Sequence, residues 1–226
     1  MKKIWLLVKL FFNLIRVSIS PSQTGAVLGI GESLYGLGFV DKMKERLDSI
    51  PECVQIMNQR KLLAPFDLKA LQKLPNGSFG RCYADHMIGR GLSPDFYKHI
   101  KVTNAQTFSM MRLRQTHDLW HVITGFDTSV TGEIGLQAFY YAQLRTPLAP
   151  ILIGGSLLTA SIKNRASLVK IFESIVSGWQ LGIRAKCLFA VDWEANWQTP
   201  LKQFQQELLG EGAILNMNNG NASILV

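Results

Sequence analysis

Apolar residues recur along most of the chain at intervals of three and four, which is the period of a helix packed on one side. The clearest series contains Leu168, Ile171, Phe172, Ile175, Val176 and Trp179. Only residues 186–193 could pass for a β-strand, and no internal repeat or interdomain linker is visible. We therefore predict a mainly α, single-domain helical protein, with its helical body over residues 25–210 and a flexible tail over 211–226.

Residues that start and stop helices mark several boundaries within this body. Pro51 is placed to open a helix through 52–63. Asp67 is placed to cap a short helix that Pro75 stops. Gly210 is typical of the residue that follows a helix, and it should end the last one.

The first 20 residues have an amphipathic pattern with a wide apolar side. On a helix, the polar residues fall in one narrow stripe made of Lys2, Lys9, Asn13, Arg16 and Ser20. These interruptions make the segment too polar to span a bilayer, and no clear signal-peptide cleavage site follows it. We predict that residues 1–24 form an amphipathic helix on a membrane surface or against a partner subunit. The alternative is a terminal helix docked on the protein's own core.

The composition is apolar and weakly charged. The 226 residues are 47% hydrophobic and 18% charged, which excludes a disordered protein. The net charge is +8, but four of the basic residues lie in the first 31 positions, where no acidic residue occurs. The rest of the chain is nearly balanced and contains no nucleic-acid-binding motif, so we expect no nucleic-acid partner.

The three cysteines are Cys53, Cys82 and Cys187, and none belongs to a CxxC motif. An odd number of widely spaced cysteines argues against a disulfide framework and favours a reducing, intracellular compartment. We expect these side chains to pack as small hydrophobic groups.

The candidate chemistry is concentrated around two histidines. His117 and His121 are four residues apart, the spacing with which a helix chelates one divalent metal, and Asp118 lies close to the same face. Gly125 is placed to end this helix, so a helical hairpin would bring Glu133 back beside His121. Four such groups buried without a metal would be costly. We therefore predict a metal site on a helical hairpin, with donors that suit zinc, iron or manganese.

Two alternatives stay open for these residues. A histidine on an apolar helix is often a core residue that binds no metal. The dipeptide His117-Asp118 is also the HD pair of a class of phosphohydrolases, which needs a further histidine and a distant aspartate. His86, His99 and Asp192 are available for that role.

The motif His117-Asp118-x-x-His121, followed after eleven residues by Glu133, resembles the signature of the Coq-four family of ubiquinone (coenzyme Q) biosynthesis proteins. The similarity extends to blocks elsewhere in the chain. These are LPNGSFG at 74–80, GLSPD at 91–95, HDLWHVITG at 117–125, GEI at 132–134 and the stretch 184–201. Together they cover roughly residues 25 to 210.

The resemblance implies a peripheral membrane protein that binds a polyprenyl quinone or a related isoprenoid lipid and works with other quinone-biosynthesis proteins. It would lie on the cytoplasmic face of a bacterial membrane, or on the mitochondrial inner membrane in eukaryotic relatives. We also expect it to form a homodimer. The implied metal ligands are His117, Asp118, His121 and Glu133, with Zn²⁺ the expected ion and Fe, Mn or Mg the alternatives.

The resemblance also implies a reaction, the oxidative decarboxylation at C1 of a prenylated hydroxybenzoate ring. The protein would then be a metal-dependent decarboxylase, a lyase, with Arg112 and Arg114 binding the substrate carboxylate. Both arginines could equally be solvated surface charges. The alternative function is a non-catalytic, lipid-binding scaffold that organises the quinone biosynthetic complex around a structural metal.

Overall fold

The computed structural model describes residues 2–19, 24–94 and 100–210, so the tail predicted over 211–226 lies outside the described residues. Within these ranges the chain forms eleven α-helices and no β-strand, which confirms the predicted mainly α class. The helices are α1 (Lys2–Ile19), α2 (Thr24–Leu37), α3 (Asp41–Asp48), α4 (Pro51–Gln59), α5 (Leu68–Leu71), α6 (Phe79–Gly89), α7 (Ala105–Thr124), α8 (Val130–Leu144), α9 (Leu148–Lys163), α10 (Leu168–Arg184) and α11 (Leu201–Leu209).

Several helix ends lie where the local sequence predicts them. Pro51 is the first residue of α4, although that helix ends before the predicted boundary. Asp67 caps α5, because its side chain accepts a hydrogen bond from the backbone amide of Lys69 at 2.9 Å. Gly210 follows the last residue of α11. Short-range signals are therefore sufficient to locate these ends.

Residues 186–193, the segment whose sequence is also compatible with a strand, do not form one. This segment contains a 3₁₀ turn over Leu188–Ala190 instead. The carbonyl oxygens of Phe189 and Val191 accept hydrogen bonds from the buried side chain of Arg112, at 2.6 and 2.7 Å. The Arg112 side chain thus provides hydrogen-bond donors for these two carbonyls. In a strand, the backbone amides of a neighbouring strand would have to provide them.

The chain divides into two compact units. The first contains residues 1–49 and 126–183, and so the helices α1 to α3 and α8 to α10. The second contains residues 50–125 and, of the described residues, 184–210, with the helices α4 to α7 and α11.

In the first unit, α8 and α10 pack with their backbones in contact. A side chain at Gly178 of α10 would overlap the backbone carbonyl of Gly135 in α8. One turn further on, a Cβ atom at Gly182 would lie 2.9 Å from the carbonyl oxygen of Phe139 and 2.6 Å from the Cβ of Ala142. Glycines are therefore required where these two helices cross.

The predicted apolar series of α10 belongs to two different faces of the helix. Ile171 is buried and packs with Leu168 and Ile175 against residues of α8 and α9. A neighbouring face of the helix exposes five large apolar side chains at intervals of three and four. They are Val169, Phe172, Val176, Trp179 and Ile183.

Helix α1 is apolar on both sides. Its inner side packs Leu10, Leu14 and Val17 against α2. Two residues of the predicted polar stripe also contact this unit: Asn13 is buried, and Lys9 forms an ion pair with Glu32 at 2.8 Å. Its outer side exposes Ile4, Trp5, Leu7, Val8, Phe11, Phe12 and Ile15. The helix therefore docks on its own unit through one face only. In the part of the chain that the structure describes, no helix has the length and apolar character needed to cross a membrane.

The core of the second unit is aromatic. The ring of Phe79, in the first turn of α6, stacks on Trp197 with a centroid distance of 5.2 Å and contacts Phe204 of α11 edge to face. Backbone hydrogen bonds fix the same contact, since the amides of Phe79 and Gly80 donate to the carbonyls of Thr199 and Trp197. These interactions hold α6 in a fixed position within the unit that carries the two histidines.

Candidate metal site

Both histidines lie in the last two turns of α7, and each end of this helix has a defined cap. At the start, the Asn104 side chain accepts a hydrogen bond from the amide of Thr107, whose hydroxyl accepts one from the amide of Asn104. At the end, Gly125 has a φ of 74°, a left-handed conformation that favours glycine, and its amide donates to the carbonyl of His121. The predicted helix end at Gly125 is confirmed.

The imidazoles of His117 and His121 contact each other. Their Nε2 atoms are 3.2 Å apart; His121 is buried and His117 half-buried. Two nitrogens that each lie about 2.0–2.1 Å from one zinc ion at the tetrahedral angle are themselves about 3.3 Å apart. The observed separation therefore fits a single divalent ion. It also fits a hydrogen bond between two neutral rings, one donating and the other accepting.

A third histidine, His86 of α6, lies against this pair. Its ring stacks on that of His121, with centroids 6.0 Å apart and planes inclined by 22°. Its Nε2 atom is buried and has no hydrogen-bond partner among the described residues. Burial, with smaller contributions from Arg90 and the other two histidines, lowers the pKa of His86 to about 4. The ring is therefore neutral at pH 7 and can donate or accept a hydrogen bond.

Sequence spacing gives no indication that His86 belongs to this group. His86 is on α6, and its approach to His121 depends on how α6 packs against α7. From the sequence alone, His86 is a candidate only for the phosphohydrolase alternative. The other residues of that alternative give it no support: Asp192 pairs with Lys61 at 2.6 Å on the surface, and His99 lies outside the described residues.

Asp118 is half-buried, and its negative charge interacts with the side chain of Tyr83 on α6. Burial, followed by the negative charge of Asp118, raises the pKa of the Tyr83 hydroxyl well above its usual range. The tyrosine therefore stays protonated and remains a hydrogen-bond donor at every physiological pH.

Glu133 is placed by the cap of α8. Ser129 accepts a hydrogen bond from the amide of Gly132, and a side chain at Gly132 would overlap the backbone of Asp127. Glu133 is half-buried in this first helical turn, where a carboxylate interacts favourably with the helix dipole. Glu133 belongs to the first unit, whereas His117, Asp118 and His121 belong to the second. The binding of one ion by these residues together stays a prediction.

Arg112 was predicted either to bind the substrate carboxylate or to be a solvated surface charge, and its environment in the structure differs from both. Its side chain is 2% exposed, so the prediction of a solvated charge is wrong. Its Nε and two terminal nitrogens donate to the carbonyls of Phe189, Lys61 and Val191, at 2.6, 2.7 and 2.7 Å. This use of its donors favours a structural role over the predicted contact with substrate. Arg114 is half-buried on the same helix, and its contact with substrate stays a prediction.

Comparisons with known proteins agree with the resemblance seen in the sequence. The family described as coenzyme Q (ubiquinone) biosynthesis protein Coq4 matches residues 6–211. A mitochondrial ubiquinone biosynthesis protein coq4 of Sclerotinia sclerotiorum is 26% identical over 204 residues, which cover 88% of this chain and 68% of that protein. The mitochondrial COQ4 homolog of Bos taurus is 28% identical over 194 residues, covering 83% and 71%.

A solved structure gives the same result for the fold. A crystal structure of a Nostoc punctiforme protein named for ubiquinone biosynthesis is similar to this chain, with a TM-score of 0.81 and 31% sequence identity. The similarity covers 90% of this chain and 97% of that one. Because the family match spans nearly the whole helical body, the chain belongs to the Coq4 family of coenzyme Q (ubiquinone) biosynthesis proteins.

Proposed function

We propose that this protein binds a divalent metal and a prenylated hydroxybenzoate, and supports removal of the ring carboxylate at C1 during ubiquinone biosynthesis. The observation that carries the proposal is the pair of imidazoles on α7, whose Nε2 atoms are 3.2 Å apart, a separation that fits the binding of one ion. Membership of a family named for this pathway supports the substrate class.

The proposed ligands are His117, His121 and Glu133, with Asp118 as a fourth. Zinc is the expected ion, and iron, manganese and magnesium are the alternatives. When bound, such an ion supplies Lewis-acid polarisation of the carboxylate or the phenol oxygen of the substrate. Among the residues near the pair, the neutral ring of His86 is suited to a hydrogen bond with the same polar end of the substrate.

The prenyl tail requires an apolar surface, and a groove between α1 and α2 supports that part of the proposal. The groove has a volume of about 630 Å³. Its apolar wall is formed by Trp5, Val8, Phe12 and Leu28, and its polar wall by Lys9, Asn13, Arg16 and Glu32. Pockets for small-molecule ligands commonly range from about 300 to 1,000 Å³. Trp5, Val8 and Phe12 also belong to the exposed side of α1, so a prenyl tail could move between the groove and a bilayer that contacts this side.

We expect His121→Ala to abolish metal binding, because one of the two helix-borne nitrogens is then missing. Purified wild-type protein, loaded with zinc and desalted, should retain about one equivalent by elemental analysis. The variant should retain less than about one-tenth of an equivalent. Asp192→Asn is the matched control: it replaces the carboxylate of the phosphohydrolase alternative by a neutral amide and should leave the metal content unchanged.

Two outcomes of the same experiment count against the site. Equal metal content in wild-type protein and His121→Ala would overturn the assignment. Loss of metal in Asp192→Asn would instead favour the phosphohydrolase arrangement. Turnover of a prenylated 4-hydroxybenzoate that is lost together with the metal supports catalysis. Binding of the lipid by wild-type protein without turnover supports the alternative function, a scaffold with a structural metal.

Association with a membrane is the part of the proposal that rests on α1. Seven large apolar side chains on its outer side are exposed, and Lys2, Lys3 and Arg16 are exposed around them. A helix with this combination binds an anionic bilayer by burying its apolar face and by attraction of its basic groups to the lipids. The homodimer stays a prediction, and the exposed apolar stripe of α10 is the surface that would serve it.

We expect the double variant Ile4→Ser/Phe11→Ser to bind anionic phospholipid vesicles about ten-fold more weakly than wild-type protein, as two apolar side chains no longer enter the bilayer. Co-sedimentation with vesicles measures this directly. Ile162→Ser, on α9, removes an apolar side chain that is 74% exposed and should leave binding unchanged. An equal loss in both variants would show that exposed apolar surface in general, and not α1, is responsible.

A further inference from the structure

Two cysteines that are distant in the sequence meet in the second unit. Cys53 of α4 and Cys187, just before the 3₁₀ turn Leu188–Ala190, are 134 positions apart, yet their Sγ atoms are separated by 3.1 Å. Both are reduced thiols in this structure. A disulfide has a sulfur–sulfur distance of about 2.0 Å, so a small movement of two side chains would be enough to join them.

The backbone around both cysteines is held by one side chain. Arg112 donates to the carbonyl of Lys61, shortly after α4, and to those of Phe189 and Val191, shortly after Cys187. The Arg112 guanidinium also interacts electrostatically with both thiols. A nearby positive charge favours the thiolate, which is the reactive form of cysteine.

The two cysteines differ in accessibility in the way that an oxidisable pair requires. Cys53 is fully buried, whereas Cys187 is half-buried and can be reached from solvent. The third cysteine, Cys82 of α6, lies outside this pair, and burial followed by the negative charge of Asp85 raises the pKa of its thiol. It therefore provides an internal reference for the reactivity of the other two.

We propose that Cys53 and Cys187 are a redox-active dithiol that a hydroperoxide converts to an intrachain disulfide. The Cys187 thiolate attacks a peroxide oxygen: a sulfur–oxygen bond forms, the oxygen–oxygen bond breaks, and a sulfenic acid results. The Cys53 thiolate then attacks that sulfur, the sulfur–oxygen bond breaks, and water leaves. In total, two thiols and one hydrogen peroxide give one disulfide and two waters.

The disulfide would link α4 to the segment that precedes α11. The loop that it closes contains α6 and α7, and therefore His86, His117 and His121. Closing so long a loop restricts the unfolded chain, so the oxidised protein should be the more stable form. Oxidation would thus stabilise the folded chain without altering the polar residues of the histidine-bearing unit.

The test uses the full-length protein and hydrogen peroxide. Wild-type protein should lose two of its three thiols, and a non-reduced digest should contain one cross-linked pair of peptides that carries Cys53 and Cys187. The Cys53–Cys187 disulfide should form about ten-fold faster than Cys82 reacts. Dithiothreitol should restore all the thiols, and the oxidised protein should melt at a higher temperature than the reduced protein.

Three variants make the test specific. Cys82→Ser should form the same disulfide at the same rate. Cys187→Ser should leave Cys53 as a thiol, and Cys53→Ser should accumulate a sulfenic acid at Cys187 that dimedone traps. Faster oxidation of Cys82 than of the pair would overturn the proposal. Recovery of Cys53 and Cys187 as separate thiols after Cys82 has been consumed would overturn it equally.

Discussion

Replacing Gly178 with alanine is expected to lower the free energy of unfolding by about 3 kcal/mol, at the upper end of the usual cost of overpacking. The added methyl group would overlap the carbonyl of Gly135 and contact the Cβ of Ala138 at 3.1 Å. The backbone cannot swing away as a long side chain can, so α8 and α10 would have to separate. That separation would also loosen the contacts of the buried Ile171 with its neighbours on α9.

Gly154→Ala is the matched control for this substitution. Gly154 is also within a helix, α9, but nothing lies within 4 Å of the Cβ atom that the alanine would add. This change should raise stability by up to about 1 kcal/mol, because alanine is the better helix former. Urea or thermal denaturation of both variants, followed by circular dichroism, measures the two effects. Destabilisation of similar size in both would show that contact between α8 and α10 is not the cause.

The helices and their ends could be predicted from the sequence because the signals for them are local. Asp67 caps its helix with a side chain two residues from the amide that it binds, and Gly125 ends α7 through its own backbone conformation. Periodicity alone did not separate the two faces of α10. Apolar residues at helical spacing look alike whether they are buried, as Ile171 is, or exposed, as Phe172 is.

Only those residues of the candidate site that are close together in the sequence could be predicted to lie together in the structure. His117 and His121 share one helix, so their spacing of four residues is enough to bring their rings together. His86 joins them through the packing of α6 on α7, and Cys53 meets Cys187 through contacts between segments 134 positions apart. No spacing rule encodes such approaches. Arg112 shows the same limit, since an arginine on the helix that carries the histidines resembles a substrate contact until its hydrogen-bond partners are known.

Replacing Arg112 with methionine is expected to lower the free energy of unfolding by about 3–5 kcal/mol, since three carbonyl oxygens, one of them in a fully buried hydrogen bond, each lose a charged donor. Methionine preserves most of the apolar stem, so the loss reports mainly on the hydrogen bonds to Lys61, Phe189 and Val191. Burial lowers the pKa of Arg112 to about 10, so the guanidinium is charged at pH 7 and the donors are intact in the wild-type protein.

Arg114→Met, on the same helix, separates this structural role from the binding of substrate. Arg114 is half-buried, so its replacement should change the free energy of unfolding by less than about 1 kcal/mol. If Arg114 binds the substrate carboxylate, that variant should instead weaken binding of a prenylated hydroxybenzoate. Arg112→Lys should recover only part of the lost stability, because one ammonium group cannot reach three carbonyls arranged for a planar guanidinium. An Arg112→Met protein as stable as wild type, with weaker substrate binding, would return Arg112 to the role that the sequence predicted.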